Sequence, residues 1–367
     1  MTLTVLYNQV VKFANSAVID FNDETWKSLT VGHYTRMEVL PKLINREGDA
    51  RLRIHQIHHL NDPREGELLI DRLKELFAAE PACPLREALW DQYESDHNGA
   101  VRNSVYMGSF TSRLDQLNMW ERYGGGGKGV SIQFRAGVCF DKDPQVSLCQ
   151  ISTSGSTGRY KIENIKYPLY MVIYLPDRKG LNLQREAEYA KKRAEAAKKK
   201  AEETETKKVP SLEAEWWERQ HQLIGELAAL EKKIKISLEQ IGACFSRLDV
   251  DPEIKTALKQ ELCNTIMVIL DVIRFLIKSD SYRDEREYRI IQYSADPDCE
   301  AEDAGVPKLF IPVERRLEYE KVCFGPLVSD FESKAAYILN IRKKETGDGK
   351  DNWDIEVRRS SIRYKKE

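Results

Sequence analysis

The 367-residue chain predicts an α+β fold, a small mixed sheet interrupted by a long inserted α-helical hairpin. Three observations lead there. Short segments rich in β-branched and aromatic residues alternate with short helical patterns in the first half, and strand-like segments resume near the C-terminal third. Between them, 184–208 is built from Ala, Glu, Lys and Arg with hardly a large apolar side chain, which gives strong helix propensity without an apolar face. Pro210 ends that run, and Trp216, Trp217, Leu223, Ile224, Leu227, Leu230, Ile234 and Leu238 then follow at helical spacing. The expected organisation is an N-terminal lead-in at 1–30, a split α+β domain at 31–182 and 248–367, and an inserted hairpin or coiled-coil arm at 183–247.

The elements follow in order. A helix is expected at 6–16, a strand at 31–35, a helix at 37–45 and a strand at 52–58. A helix at 64–79 carries Leu68, Leu69, Leu73, Leu76 and Phe77 at helical spacing. A strand at 105–109, a short helix at 117–123, a strand at 129–134 and a buried extended segment at 162–175 complete the first part. Ser211 is a candidate N-cap for the second helix of the hairpin, with Glu213 and Glu215 in its first turn, where the helix dipole favours negative charge. Asp251 as cap and Pro252 in the first turn open a third helix running to about Lys278. Strands at 288–294, 308–313 and 320–324, a helix at 330–343 and a strand at 353–358 close the chain.

Composition narrows the function classes. With 41% hydrophobic residues the chain can bury a core. Its 57 basic and 59 acidic side chains leave a net charge of −2, so no overall field draws it to nucleic acid or membrane. It has no run of about 18 apolar residues, so no membrane-crossing helix is expected. The N-terminus lacks the basic start and apolar stretch of a signal peptide. The seven cysteines lack zinc-site spacing and read as reduced thiols, which predicts a cytoplasmic location.

Four polar constellations carry candidate chemistry. His33-Tyr34-Thr35 ends a strand, where an imidazole and hydroxyls can bind a sugar edge or a carboxamide. His58-His59-Leu60-Asn61-Asp62-Pro63-Arg64-Glu65 contains a turn and helix-entry signal that also explains Asn61 and Asp62 as capping residues. The third joins Ser109 and Thr111 to Trp120 and Tyr123 and then to 124–129, Gly-Gly-Gly-Gly-Lys-Gly. The Walker spacing fails, because no Ser or Thr follows Lys128 and a strand comes next. A flexible turn and a mobile lid are both open. Trp120 and Tyr123 share a helical face and can stack on an aromatic ring or fill the core.

The fourth is Tyr282–Ile291, the start of a strand. Alternation puts Glu285, Glu287 and Arg289 on one face and Arg286, Tyr288 and Ile290 on the other. Two carboxylates and a guanidinium in line suit developing positive charge or ribose hydroxyls, and equally suit a solvated charge ladder. Gly-x-Ser-x-Gly, His-Glu-x-x-His and Cys-x-x-Cys are missing from the sequence, which removes support for serine hydrolase, zincin and thioredoxin-like chemistry.

Together these clusters resemble a bacterial family catalogued as domain of unknown function 2971. The resemblance rests on His33-Tyr34-Thr35, 60–63 with Glu65, Met119-Trp120 with Tyr123, 128–132, Lys278, Glu285 with Glu287 and Arg289, and 324–326. It covers about 30–180 and 265–330, and the long hairpin departs from the family's compact pattern. The chain is also similar, more distantly, to the ADP-ribosyltransferase superfamily, through the His-Tyr-Thr strand, a middle Ser/Thr strand and a late Glu-x-Glu strand. That resemblance implies that His33 and Thr35 hold NAD, that Tyr34 or Tyr123 packs on the nicotinamide, and that Ser109 and Thr111 support the ribose. It further implies that Glu287 is catalytic and that Glu285 positions the acceptor. Asn61, Asp62, Trp120 and Arg289 join the expected cofactor-binding set, and no metal is expected. Bacterial enzymes of this type act as toxins or in antiphage defence, and modify a protein or nucleic acid or hydrolyse NAD.

Two other classes remain open on the sequence. One is a non-catalytic binding or sensor module in which the hairpin, through Trp216, Trp217 and the following leucines, captures a partner or self-associates. The other is a nucleic-acid enzyme using Asp62, Glu65 and Glu287 around a divalent ion.

Overall fold

Ten strands form one open mixed sheet, and its branching creates the candidate site. The computed structural model describes residues 2–19, 21, 23–44, 51–57, 64–96, 105–142, 167–203, 212–293, 298–300, 308–313, 318–346 and 355–363. The helices are α1 (Thr2–Ser16), α2 (Asp23–Ser28), α3 (Leu40–Ile44), α4 (Glu67–Phe77), α5 (Pro84–Asp96), α6 (Leu117–Arg122), α7 (Ala136–Cys139), α8 (Leu183–Glu203), α9 (Leu212–Ser246), α10 (Pro252–Arg274) and α11 (Phe331–Thr346). The strands are β1 (Thr30–Thr35), β2 (Arg53–Gln56), β3 (Val105–Thr111), β4 (Val130–Arg135), β5 (Tyr170–Met171), β6 (Ile173–Leu175), β7 (Ile277–Ser279), β8 (Glu287–Tyr293), β9 (Asp298–Glu300), β10 (Lys308–Pro312), β11 (Tyr319–Phe324) and β12 (Glu356–Arg359).

The strand order is β12-β11-β4-β1-β3-β2-β10-β9, with β8 paired to β3 and β5 paired to β8; β6 and β7 form a separate parallel pair. The large sheet is antiparallel except for β11 and β12. Strand β3 is the branch point. One edge pairs with β8 from Val105↔Tyr293 to Thr111↔Glu287. The other edge is divided: β2 takes Met107 and Tyr106, while β1 touches only through Gly32↔Thr111 before turning away to β4. The sheet therefore opens between β1 and β2.

Among the described residues, most elements expected from sequence form with small shifts at their ends; the expected cap Ser211 and the start of the 162–175 segment lie outside the described residues. Asp251 caps α10, its side chain accepting from the Glu253 amide at 2.9 Å. The sheet is less dominant than expected, since about 57% of the described residues are helical. Helices α2, α5 and α7 had no counterpart in the sequence reading, and 37–45 is a 3₁₀ turn followed by the short α3.

The expected hairpin is present as α8 and α9, but it does not stand apart as an arm. Helix α9 packs on α1, α4, α5 and β6. Its Trp216, Leu223, Leu227 and Ile234 belong to the same continuous core as the sheet residues Val31, Val105, Phe110 and Ile290. Helix α8 does have a core face, made of alanines: Ala187, Ala190 and Ala194 are buried at helical spacing. Small side chains let α8 lie close on α9 while its lysines stay in water.

Candidate functional site

A cleft of about 240 Å³ lies in the opening between β1 and β2. Its floor is β3, from Met107 to Thr111. Gly32, His33 and Tyr34 form one wall, Met119 and Tyr123 of the α6 end form the roof, and Lys278, Glu285, Glu287 and Arg289 line the depth.

Glu287 and Glu285 reach this depth by different routes. Glu287 opens β8, while Glu285 ends a 3₁₀ segment, Asp280–Glu285. Between them Arg286 adopts φ 44, a left-handed conformation uncommon for a residue with a side chain. This kink turns Arg286 outward onto Glu213 (2.9 Å) and the Trp216 ring, and leaves both carboxylates facing the cleft. The predicted division of faces holds, although the strand begins only at Glu287. Lys278 arrives from β7, next to Tyr174 of β6, and the Tyr174 hydroxyl accepts from the Glu287 amide at 2.9 Å.

Six acidic and basic side chains follow one another in alternation. Arg122 donates to Glu285 Oε1 (3.1 Å); Lys278 Nζ bridges Glu285 (2.9 Å) and Glu287 (3.0 Å). Arg289 donates through Nε and Nη2 to Glu287 at 2.8 Å each, and through Nη1 and Nη2 to Glu65 at 2.6 and 3.1 Å. Arg289 Nη1 also donates to the Phe275 carbonyl. Glu285, Glu287, Lys278 and Arg289 are buried, whereas Arg122 is half exposed. Burial pushes the Glu287 carboxyl up, but Arg289 and Lys278 outweigh it and hold it well below the usual carboxylate range. Lys278 is held charged: burial opposes the ammonium, and Glu287 and Glu285 more than restore it.

His33 meets this network through Ser109. Its Nδ1 lies 3.0 Å from the Ser109 carbonyl, which only accepts, so Nδ1 carries the proton. Burial pushes the imidazole down, so it is neutral and Nε2 is an acceptor. Ser109 helps hold Glu287 ionised, after Arg289 and Lys278. Its carbonyl faces the imidazole, and the serine lines the cleft with Glu287.

The other expected site residues fall into three groups. Tyr34 and Tyr123 line the cleft; Tyr34 donates to the Arg113 carbonyl (2.8 Å) and Tyr123 to Glu285 (2.6 Å). Thr111 also lines it, but its hydroxyl donates to the Glu285 carbonyl and accepts from the Arg113 amide, which makes it a strut for the kink. Thr35 and Trp120 do not line the cleft. Trp120 is fully buried against Tyr34, its indole N–H donating to Asp115 (2.8 Å), so it cannot stack on a ligand there. Asn61 and Asp62 lie outside the described residues. Glu65, one of the residues of the metal reading, is spent on Arg289, and no group of three or more metal-ligating side chains is found among the described residues. The loop 124–129 is a bound turn: Gly129 N donates to Gly124 O (2.8 Å), and Gly325 N and Leu327 N donate back to Gly129 and Gly127.

Lys278 was visible only as a member of a family pattern, with no role, and Glu65 only there and in the metal reading. A buried lysine directly after the apolar run of α10 was the available signal. Arg53, His55 and Lys308 line the opposite end of the cleft. The trace of Arg53 and His55 in the sequence was the polar–apolar alternation of 52–55.

The fold and cleft define a mixed α/β protein with a charged site at the split of its sheet. Residues 119–290, somewhat under half of the chain, match the model of a family described as "Protein of unknown function (DUF2971)". The match runs from α6 to β8, so it includes Tyr123, Lys278, Glu285, Glu287 and Arg289. The helical hairpin, expected to depart from the family pattern, lies within it. His33-Tyr34-Thr35 and 324–326, which carried part of the resemblance, lie outside it. Comparison with curated proteins and with solved structures gives no match. No helix among the described residues is long and apolar enough to cross a membrane.

Proposed function

We propose that the cleft is the active site of an NAD-cleaving, ADP-ribosyltransferase-like enzyme. The observation that carries this reading is that His33, Ser109 and Glu287 line one cleft where the sheet splits. In this reaction the bond between the nicotinamide nitrogen and the ribose anomeric carbon breaks, its electron pair leaving with neutral nicotinamide. The ribose becomes oxocarbenium-like, and water or a nucleophile of a macromolecular acceptor adds to the same carbon and loses a proton. A carboxylate that stays ionised when buried is suited to that developing positive charge. Glu287 is such a group, and Glu285 beside it would position the acceptor. The neutral His33 and the Ser109 hydroxyl oxygen offer acceptors for ribose hydroxyls. The cleft is smaller than the roughly 300–1,000 Å³ of typical ligand pockets. It suits the nicotinamide-ribose end of the substrate, with the remainder lying along its open side.

The test is nicotinamide release from NAD, with and without candidate acceptors. Wild type should consume NAD, and Glu287→Gln should lower turnover by about two to three powers of ten. A wild-type protein that binds NAD and releases no nicotinamide would overturn the catalytic reading. One observation favours a second, non-catalytic reading, in which the cleft only senses its ligand: both oxygens of Glu287 already accept from cations. The sensor would not work through the hairpin tryptophans, because Trp216 and Trp217 are buried.

A further inference from the structure

We infer that the outer face of α8 is a docking surface for single-stranded nucleic acid; only the strand's role as an acceptor of ADP-ribose rests on the reading above. The chain as a whole is nearly balanced in charge, with 57 basic and 59 acidic side chains, but α8 sorts its charges by face. Residues three and four apart on a helix share a face. Ala187, Ala190 and Ala194 bury one face of α8, which packs on α9. On the opposite face an exposed stripe climbs in steps of three or four: Arg185, Tyr189, then Lys192 and Arg193, then Ala196 and Lys199. The carboxylates stand apart from it. Glu188, Glu195 and Glu202 are seven apart and line one flank, and Glu203 closes the far end. Lys198, beyond that flank, is paired with Glu218 at 3.5 Å. Arg185, Lys192, Arg193 and Lys199 form no ion pair among the described residues. Glu188 and Glu195 precede Lys192 and Lys199 by four residues, but an exposed pair at that spacing is weak and screened by salt.

The stripe is also built on rings. Tyr189 is 43% exposed, and its ring meets that of the buried Trp217 edge to face at 6.0 Å. The Arg193 guanidinium lies 5.1 Å over Trp217; that of Arg283 lies 5.5 Å over Trp217 and 5.7 Å over Tyr189. A guanidinium held by a ring keeps its edge donors for paired contacts with phosphate oxygens. Arg283 gives one contact to Asp280 at 3.3 Å. Cations that follow a phosphate backbone, with an exposed ring among them on which a base can stack, are the combination that binds single strands. A duplex hides its base faces and an acidic polypeptide has none, so neither would use Tyr189. From Arg185 to Lys199 the helix rises about 21 Å, at about 1.5 Å per residue, which gives room for several nucleotides. The stripe leads toward the cleft. Arg283 belongs to the 3₁₀ segment that ends at Glu285, and Arg122, which donates to Glu285, lies 5.5 Å over Tyr282 of the same segment. That segment also carries Asp280 and Asp284, so the phosphate track is α8 itself and Arg283 marks its end.

Fluorescence anisotropy of labelled DNA and RNA strands of about 15 nucleotides, titrated with the full chain in the absence of NAD, tests the surface. Binding should weaken as salt rises, log affinity falling against log salt by about 0.7 for each phosphate neutralised. Lys192→Gln with Arg193→Gln should weaken the bound strand about tenfold and flatten that slope by about 1.4, the share of two phosphates. Tyr189→Ala should weaken it about fivefold or more with the slope unchanged, as the loss of one stacked base does. Lys232→Gln with Lys233→Gln, an equal charge change at exposed positions of α9, should leave binding as it was. The thermal unfolding of each variant controls for the fold. Failure to bind either strand, or an equal loss in the α9 pair, overturns the surface. A duplex bound as tightly as the single strand, or a strand displaced by polyglutamate of equal charge, overturns the assignment to single-stranded nucleic acid. Strand binding that responds to the α8 substitutions in a protein that cleaves no NAD establishes the surface and rejects only the acceptor role. NAD cleavage by a protein that binds no strand rejects the surface and leaves the catalytic reading intact.

Discussion

Lys278 is the hinge of the ion network, because it bridges Glu285 and Glu287. Lys278→Met would leave two buried carboxylates facing each other. Removing one member of a buried ion pair costs about 3–5 kcal/mol, so this variant should lose about that much stability in urea titration at neutral pH, far more than Arg122→Met at the half-exposed end. The same network sets an acid limit. The folded-state pKa of Glu287 is depressed, so its contribution is complete above the usual glutamate value of 4.5 and drains away as pH falls below it. Urea midpoints measured from about pH 6 down to 3 should fall steeply in wild type and less steeply in Glu287→Gln. A flat wild-type profile would show that Glu287 is not held ionised by its neighbours. The sequence displayed Glu285, Glu287 and Arg289 as a triplet on one face, and that much was legible. Their partners were not. Lys278 reaches them across a strand and a 3₁₀ segment, and Glu65 stands more than two hundred residues from Arg289, beyond any periodicity.

At the scale of elements, the glycine run separates two demands that a sequence shows as one. Gly126 has φ 62 with open space where a Cβ would stand; a Cβ on Gly129 would lie 2.2 Å from the Thr35 carbonyl oxygen and 2.8 Å from that of Gly124. Gly126→Ala should therefore cost only the left-handed penalty, about 1–2 kcal/mol. Gly129→Ala forces backbone apart at the junction of β1 and β4 and should cost more, with loss of cooperative unfolding as the readout. Equal effects would mean that the turn moves freely, as a lid would. Most strands and helices were legible because their apolar residues kept period 2 or 3.6. The face of α8 was not, since alanine signals helix propensity without announcing burial. The split of the sheet was also hidden: nothing local in 105–111 tells that two different strands share one of its edges.

At the scale of the molecule, the helical insertion and the cleft are mechanically one body. Arg286, the kink that presents both carboxylates, is tied to Glu213 and the Trp216 ring of α9. Trp216 in turn lies 6.0 Å from the Tyr174 ring, and Tyr174 holds the Glu287 amide through its hydroxyl. Two separate paths thus lead from α9 to the kink residue and to Glu287 after it. Trp216→Ala removes the ring at their junction and should cost about 3–5 kcal/mol, as large buried aromatics do. It should also loosen the cleft at temperatures where the protein is still folded. Amide exchange of Glu287 and Arg286, compared with that of β4 on the far side of the sheet, separates the two effects. Faster exchange confined to the kink means that α9 braces the site locally. Equal acceleration everywhere would reduce Trp216 to an ordinary core residue and leave α9 with no special hold on the cleft.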